Sequence, residues 1–226
     1  MASSTPHTTG ARLSTPRSLS ADLVPAIVPL SLLEAIRNLD TPIEDGLGEL
    51  QPEHASKRLG LSSTVAAQIA RYAEQAERGE LLPRAEVVSV LRLVGRRADA
   101  PLVLANAGRR MARRSAGGDT APARPPRNGM SRRLAERKTR TLGRETFGVT
   151  VGFPERRPVA EAAEPVTVEA WPDGSACDLF AAGLAELTRL TLGLEGIMRH
   201  VACRARGDGL CRWEFIPGAD EETEDQ

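Results

Sequence analysis

All three cysteines of the chain fall within 35 residues of one another, and one of its three histidines stands among them. Cys177, His200, Cys203 and Cys211 follow the spacing Cys-x22-His-x2-Cys-x7-Cys. Zinc prefers four soft or borderline donors in a tetrahedron, and four protein ligands leave no position open for a substrate, so this donor set predicts a structural Zn2+ site. Buried thiols beside a satisfied histidine, or a redox pair, are the alternatives. An odd cysteine count makes a disulfide framework the weaker reading.

The elements that must carry these donors follow from the local pattern. From Asp178 onward Phe180, Leu184, Leu187, Leu190 and Leu194 recur every three or four positions, predicting one amphipathic helix with Ser175 as its cap and Cys177 at its entrance. Residues 197–205 and 210–216 are two short runs around Arg206-Gly-Asp-Gly209, the pattern of a hairpin. His200 and Cys203 then share one strand, with Cys211 on its return. An offset of three places two strand residues on opposite faces, so both can ligate only if a bulge or bend lies near Ala202.

The residues from Glu195 to Phe215, above all Cys203-Arg-Ala-Arg-Gly207-Asp208-Gly-Leu-Cys211-Arg-Trp, resemble the ending of 4-vinyl reductase domains. These share a fold with the sensor domains of phenol- and toluene-responsive bacterial activators. In those sensors an early Cys, an acidic residue and two later Cys hold a zinc. Cys177 would be the early ligand, and His200 stands where the acidic residue would. The resemblance covers residues 84–217 and is strongest over the last forty or so. It implies an α/β domain of antiparallel strands against helices, often a homodimer, enclosing an apolar pocket for a small hydrophobic ligand.

Composition sets the frame. The chain has 226 residues, 41% hydrophobic and only 3% aromatic, with thirty Lys+Arg balancing thirty Asp+Glu. That suffices for a core, disfavours base stacking on aromatic rings, and argues against a general polyanion binder. Residues 1–21 are Ser/Thr/Pro-rich and are expected to form a disordered tail. A transit peptide is the minor alternative. Residues 22–83 should be a helical segment, with Leu32, Leu33, Ile36 and Leu39, then Val65, Ile69 and Tyr72, at helical spacing, and Val87, Val90, Leu91 and Val94 continue that pattern past it. Residues 108–144, with twelve Lys or Arg against two acidic residues, read as a basic, mobile connection centred on a loop at 115–130. Phe147, Val149 and Val151, and again Val166, Val168 and Ala170, alternate as half-buried strands do. Residues 218–226 should be an acidic tail. The fold class predicted is α+β: a helical N-terminal segment followed by an antiparallel sheet with helices.

Residues 53–73 have the pattern of a helix-turn-helix with Gly60 in the turn. Gln68 and Arg71 would face a groove, and Lys57 and Arg58 would face phosphates. A DNA-binding regulator is therefore one alternative function. An accessory protein for a reductive step in tetrapyrrole or aromatic metabolism is another. No phosphate loop, nucleophile elbow or His-Glu-x-x-His pair is present, so the chain does not read as an enzyme. Residues 23–36 are too short and too broken by Pro25 and Pro29 to span a bilayer, and the basic stretch lacks the large apolar residues that surface insertion needs. The expectation is a cytoplasmic bacterial protein that binds a small hydrophobic molecule, with a regulatory consequence and no membrane contact.

Overall fold

The structure is a computed structural model that describes residues 22–40, 63–118, 123–126 and 128–218. Its elements run β1 (Leu23–Pro25), α1 (Ile27–Asp40), α2 (Ser63–Glu77), β2 (Leu81–Pro83), α3 (Arg84–Val94), α4 (Ala100–Ala116), α5 (Gly129–Phe147), β3 (Thr150–Gly152), β4 (Val159–Ala162), α6 (Val166–Ala170), α7 (Asp178–Leu192), β5 (Gly196–Ala202) and β6 (Cys211–Pro217). The α+β expectation holds. β1 and β2 pair antiparallel as a small ribbon, and the remaining strands form an antiparallel sheet in the order β3-β4-β6-β5.

Four of these elements depart from the sequence expectation. Val166, Val168 and Ala170 lie in helix α6 rather than a strand. Pro165 precedes it at the N-cap, and Val166, Thr167 and Ala170 turn inward at i, i+1 and i+4, a helical set hidden inside an alternating string. The basic stretch is helix at both ends: α4 runs on to Ala116, and α5 begins at Gly129 behind a capping box in which Asn128 Oδ1 accepts the Ser131 N–H at 2.8 Å and Ser131 Oγ accepts the Asn128 N–H at 3.3 Å. Helix α7 stops at Leu192, because Gly193 takes a left-handed φ of 67°, leaving Leu194 outside. Ser175 does not cap it. Its hydroxyl donates to the Asp173 carboxylate instead.

Helix α4 is the hub. Its Gly108 meets α7 backbone to backbone, so close that a Cβ there would lie 2.2 Å from Leu179 O. Its arginines then tie down two buried carboxylates. Arg110 and Arg114 sit 3.5 and 3.3 Å from Glu34 on α1, while Arg113 and Arg189 both lie 2.7 Å from Glu186 on α7. Glu34 and Glu186 are each only 7% exposed, so these pairings answer charges that could not otherwise be buried. The paired arginines, Arg189 first, hold the Glu186 carboxyl down at about 2.

One apolar core runs from Val24 in β1 to Phe215 in β6. Trp213 sits in it fully buried, with Phe180 of α7 edge-on at 5.6 Å and Phe147 edge-on to Phe180 at 6.1 Å. This packing fixes α7 over the sheet, which is what brings the entrance of that helix to the end of the β5–β6 hairpin. Among the described residues no helix is long and apolar enough to cross a membrane.

Candidate metal centre

Each donor is placed by a local device. Gly174 adopts φ +80°, and the chain folds into a short 3-10 turn, Ser175–Cys177, with Cys177 N–H donating to Gly174 O at 3.1 Å. Cys177 therefore caps the start of α7 with its side chain in the protein. His200 lies on β5 opposite Trp213, its ring stacked on the indole at 4.9 Å and 14°. Between His200 and Ala202 the β5–β6 register shifts by one residue, and Val201 is the extra one. This is the bulge the spacing demanded, and it returns Cys203 to the face that carries His200.

Cys203 follows the strand and opens a knuckle. Its N–H donates to Asp208 Oδ2 at 2.7 Å, while its carbonyl accepts from Arg206 N–H at 2.9 Å and Asp208 N–H at 3.2 Å. Arg204 N–H donates to Cys211 Sγ at 3.4 Å, across the turn. Cys211 then begins β6.

The ligand atoms of Cys177, His200, Cys203 and Cys211 all lie within 4.8 Å of one another. All three sulfurs are free thiols and buried. Cys203 and Cys211 Sγ are 3.8 Å apart, far beyond a disulfide bond of about 2.05 Å. Two sulfurs on a tetrahedral ion at about 2.3 Å would be separated by about 3.8 Å, so the spacing suits a shared ion better than a redox pair. His200 Nε2 is buried with no hydrogen-bond partner among the described residues, a cost that an ion would relieve.

The proton inventory points the same way. Cys211 is pulled down to about 4, first by the hydrogen bond from the Cys177 thiol and further by His200, Arg204 N–H and Cys203. Cys177 is pushed up by that same shared hydrogen bond and by burial, and Cys203 is pushed up by burial. Without a cation, one thiolate is stabilised at the expense of its neighbours. Three buried thiolates together need a compensating positive ion. The cluster can thus hold a metal ion, with each ligand supplied by one of three separate stretches of chain.

The four side chains singled out in the sequence come together, but the parts around them were less legible. Asp208 was read as a turn residue and as part of the motif carrying the resemblance, with no role given to its carboxylate, which accepts from Cys203 N–H. Thr167, buried on α6 with Oγ1 3.3 Å from Cys177 Sγ, carried no signal because α6 read as a strand. Of the residues expected to contact nucleic acid, Gln68 and Arg71 lie three positions apart on α2. Gln68 is exposed on α2, whereas Arg71 pairs with Glu86 and lies over the Tyr72 ring at 4.7 Å. Lys57, Arg58 and the Gly60 turn lie outside the described residues. Searches against protein-family models, curated proteins and solved structures find no match to this chain.

Proposed function

We propose that this chain is a zinc-stapled, non-catalytic protein that binds a small hydrophobic molecule and passes its presence on as a regulatory signal. The observation carrying the ligand half is a cleft of about 920 Å³ between the β1–β2 ribbon, α2, α4 and α5. It is lined by the apolar Ile27, Ala73, Ala76, Leu81 and Leu142 together with the charged Glu77, Glu80, Arg114, Arg144 and Glu145. The volume falls in the range of roughly 300–1,000 Å³ usual for small-molecule sites. The zinc half rests on an S3N donor set of borderline-soft ligands. Cys177, His200, Cys203 and Cys211 would hold the ion, whose contribution is to neutralise the thiolates and fasten the entrance of α7 to the hairpin. Because the cluster engages every cysteine, none is left as a nucleophile. The cleft lies apart from the donors, so ligand and metal act at different places.

The DNA-binding reading has less behind it, since Arg71 is spent on Glu86 and α2 also carries Glu74 and Glu77. Native mass spectrometry of the purified chain tests the main reading. One zinc per chain, together with an adduct or a saturable uptake of small alkylphenols, is the expected result. Ala76→Phe should fill the cleft and abolish uptake while leaving the zinc count at one. A chain that takes up no apolar probe, or an Ala76→Phe variant that binds it as the parent does, removes the ligand reading. Absence of bound metal removes the staple.

A further inference from the structure

We infer that the outward face of α5 docks on an anionic phospholipid surface. The inward side of this helix is Thr139, Gly143, Thr146 and Phe147, all buried. Turning by 3.6 residues per turn, the line opposite them runs through Met130, Leu134, Arg137 and Thr141. Met130 is 76% and Leu134 63% exposed, the most exposed large apolar side chains among the described residues. Arg133 and Arg144 flank that line on one side and Lys138 on the other, all exposed.

The two acids of the helix do not neutralise this face, which carries Arg133, Arg137, Lys138 and Arg144 against Glu145 alone. Glu136 is occupied by Arg132 at 2.9 Å and Arg140 at 3.4 Å. Arg133, Arg137, Lys138 and Arg144 have no ion-pair partner among the described residues. Glu145 is the one exposed acid on the helix.

Cations on both sides of a protruding apolar pair are the arrangement of an interfacial helix: headgroup phosphates take the charges, while the Met and Leu side chains reach the acyl boundary. A nucleic-acid backbone would use the cations but offers nothing to Met130 and Leu134, which occupy the centre of the face. The composition of the stretch argued against membrane contact; the helix places two of its large apolar side chains, Met130 and Leu134, together on the outward face. The inference is independent of the zinc site, and it shares with the cleft only the C-terminal turn of α5, where Arg144 and Glu145 also line it.

Co-sedimentation of the full chain with vesicles tests it. Binding is expected to vesicles of equal parts phosphatidylglycerol and phosphatidylcholine, to weaken as salt rises, and to be lost on phosphatidylcholine alone. Arg133→Gln and Arg137→Gln should each lower the partition about fivefold, the weight of one cation near an anionic surface. Met130→Ser with Leu134→Ser should lower it too, with the salt dependence retained, and these exposed positions leave the fold and any metal count unchanged. Failure to bind anionic vesicles overturns the inference. So does equal binding to neutral ones, or binding of a DNA duplex that depends on the cations but not on Met130 and Leu134.

Discussion

Gly174 and Gly207 offer a matched pair of perturbations around the donors. Both have left-handed backbone, φ +80° and +93°, so an alanine at either position pays a strain of about 1–2 kcal/mol. They differ in what a methyl group would meet. At Gly207 nothing lies within 4 Å, whereas at Gly174 the new Cβ would stand 2.7 Å from Cys203 Sγ and 3.2 Å from Ala205 Cβ. Sulfur would have to retreat by about 1 Å, and overpacking of that kind adds about 1–3 kcal/mol. Gly207→Ala should therefore lower the unfolding free energy by about 1–2 kcal/mol and leave zinc affinity nearly intact. Gly174→Ala should cost about 2–5 kcal/mol, and because the displaced atom is a donor, zinc affinity should fall about 10- to 100-fold. Urea unfolding of the zinc-loaded chain reads the first quantity, and competition with a chromophoric chelator reads the second. Equal zinc affinities in the two variants would refute the claim that Cys203 Sγ is a ligand held in place by this packing.

Other outcomes follow from the same geometry. Stripping zinc with a strong chelator should unfold the β5–β6 hairpin, seen as a change in the fluorescence of buried Trp213, because structural zinc contributes about 10–16 kcal/mol, as much as a whole domain's stability. Cys211→Ser should bind no zinc at stoichiometric metal and should match the stripped parent in stability; full retention of one ion would count against the donor set. The Glu186 carboxyl is depressed from 4.5 to about 2, so its contribution, about 3 kcal/mol, is complete above the unfolded value near pH 4.5 and disappears as pH falls toward 2. Glu186→Gln should flatten the stability profile across that interval, and an unchanged slope would show that its arginine pairs are not worth this much. Gly108→Ala should destabilise by about 1–3 kcal/mol by forcing α4 and α7 apart, measured as a lower urea midpoint.

The converging cluster of Cys177, His200, Cys203 and Cys211 was legible in the sequence because its residue types are rare and their spacing short. Even the bulge beside Ala202 could be deduced, since two ligands three residues apart on one strand allow no regular ladder. Other elements left no such trace. Strand β4 places Val159, Ala160 and Ala162 all in buried positions, so it lacks the alternation that announces a half-buried strand. The β1–β2 ribbon has three residues per strand, each ending in proline, too few to show a period. Helix α5 packs with Thr139, Gly143 and Thr146, small or polar residues, against its neighbours, and its apolar signal is correspondingly faint beneath the arginines. The pairing of Arg113 and Arg189 with Glu186 joins residues 73 and 3 apart in the chain, and only the first distance is invisible to local reading.

The extra residue at position 201 also says how this hairpin can vary. Its side chain is 37% exposed and belongs to no donor, so replacing Val201 by almost any residue should be silent. Deleting it should be tolerated for a different reason: the ladder would regularise with His200 and Cys203 two residues apart, still on one face, and the four side chains would still converge. What the bulge absorbs is one surplus residue in an odd spacing, so a single deletion and single substitutions at 201 should all keep the metal stoichiometry.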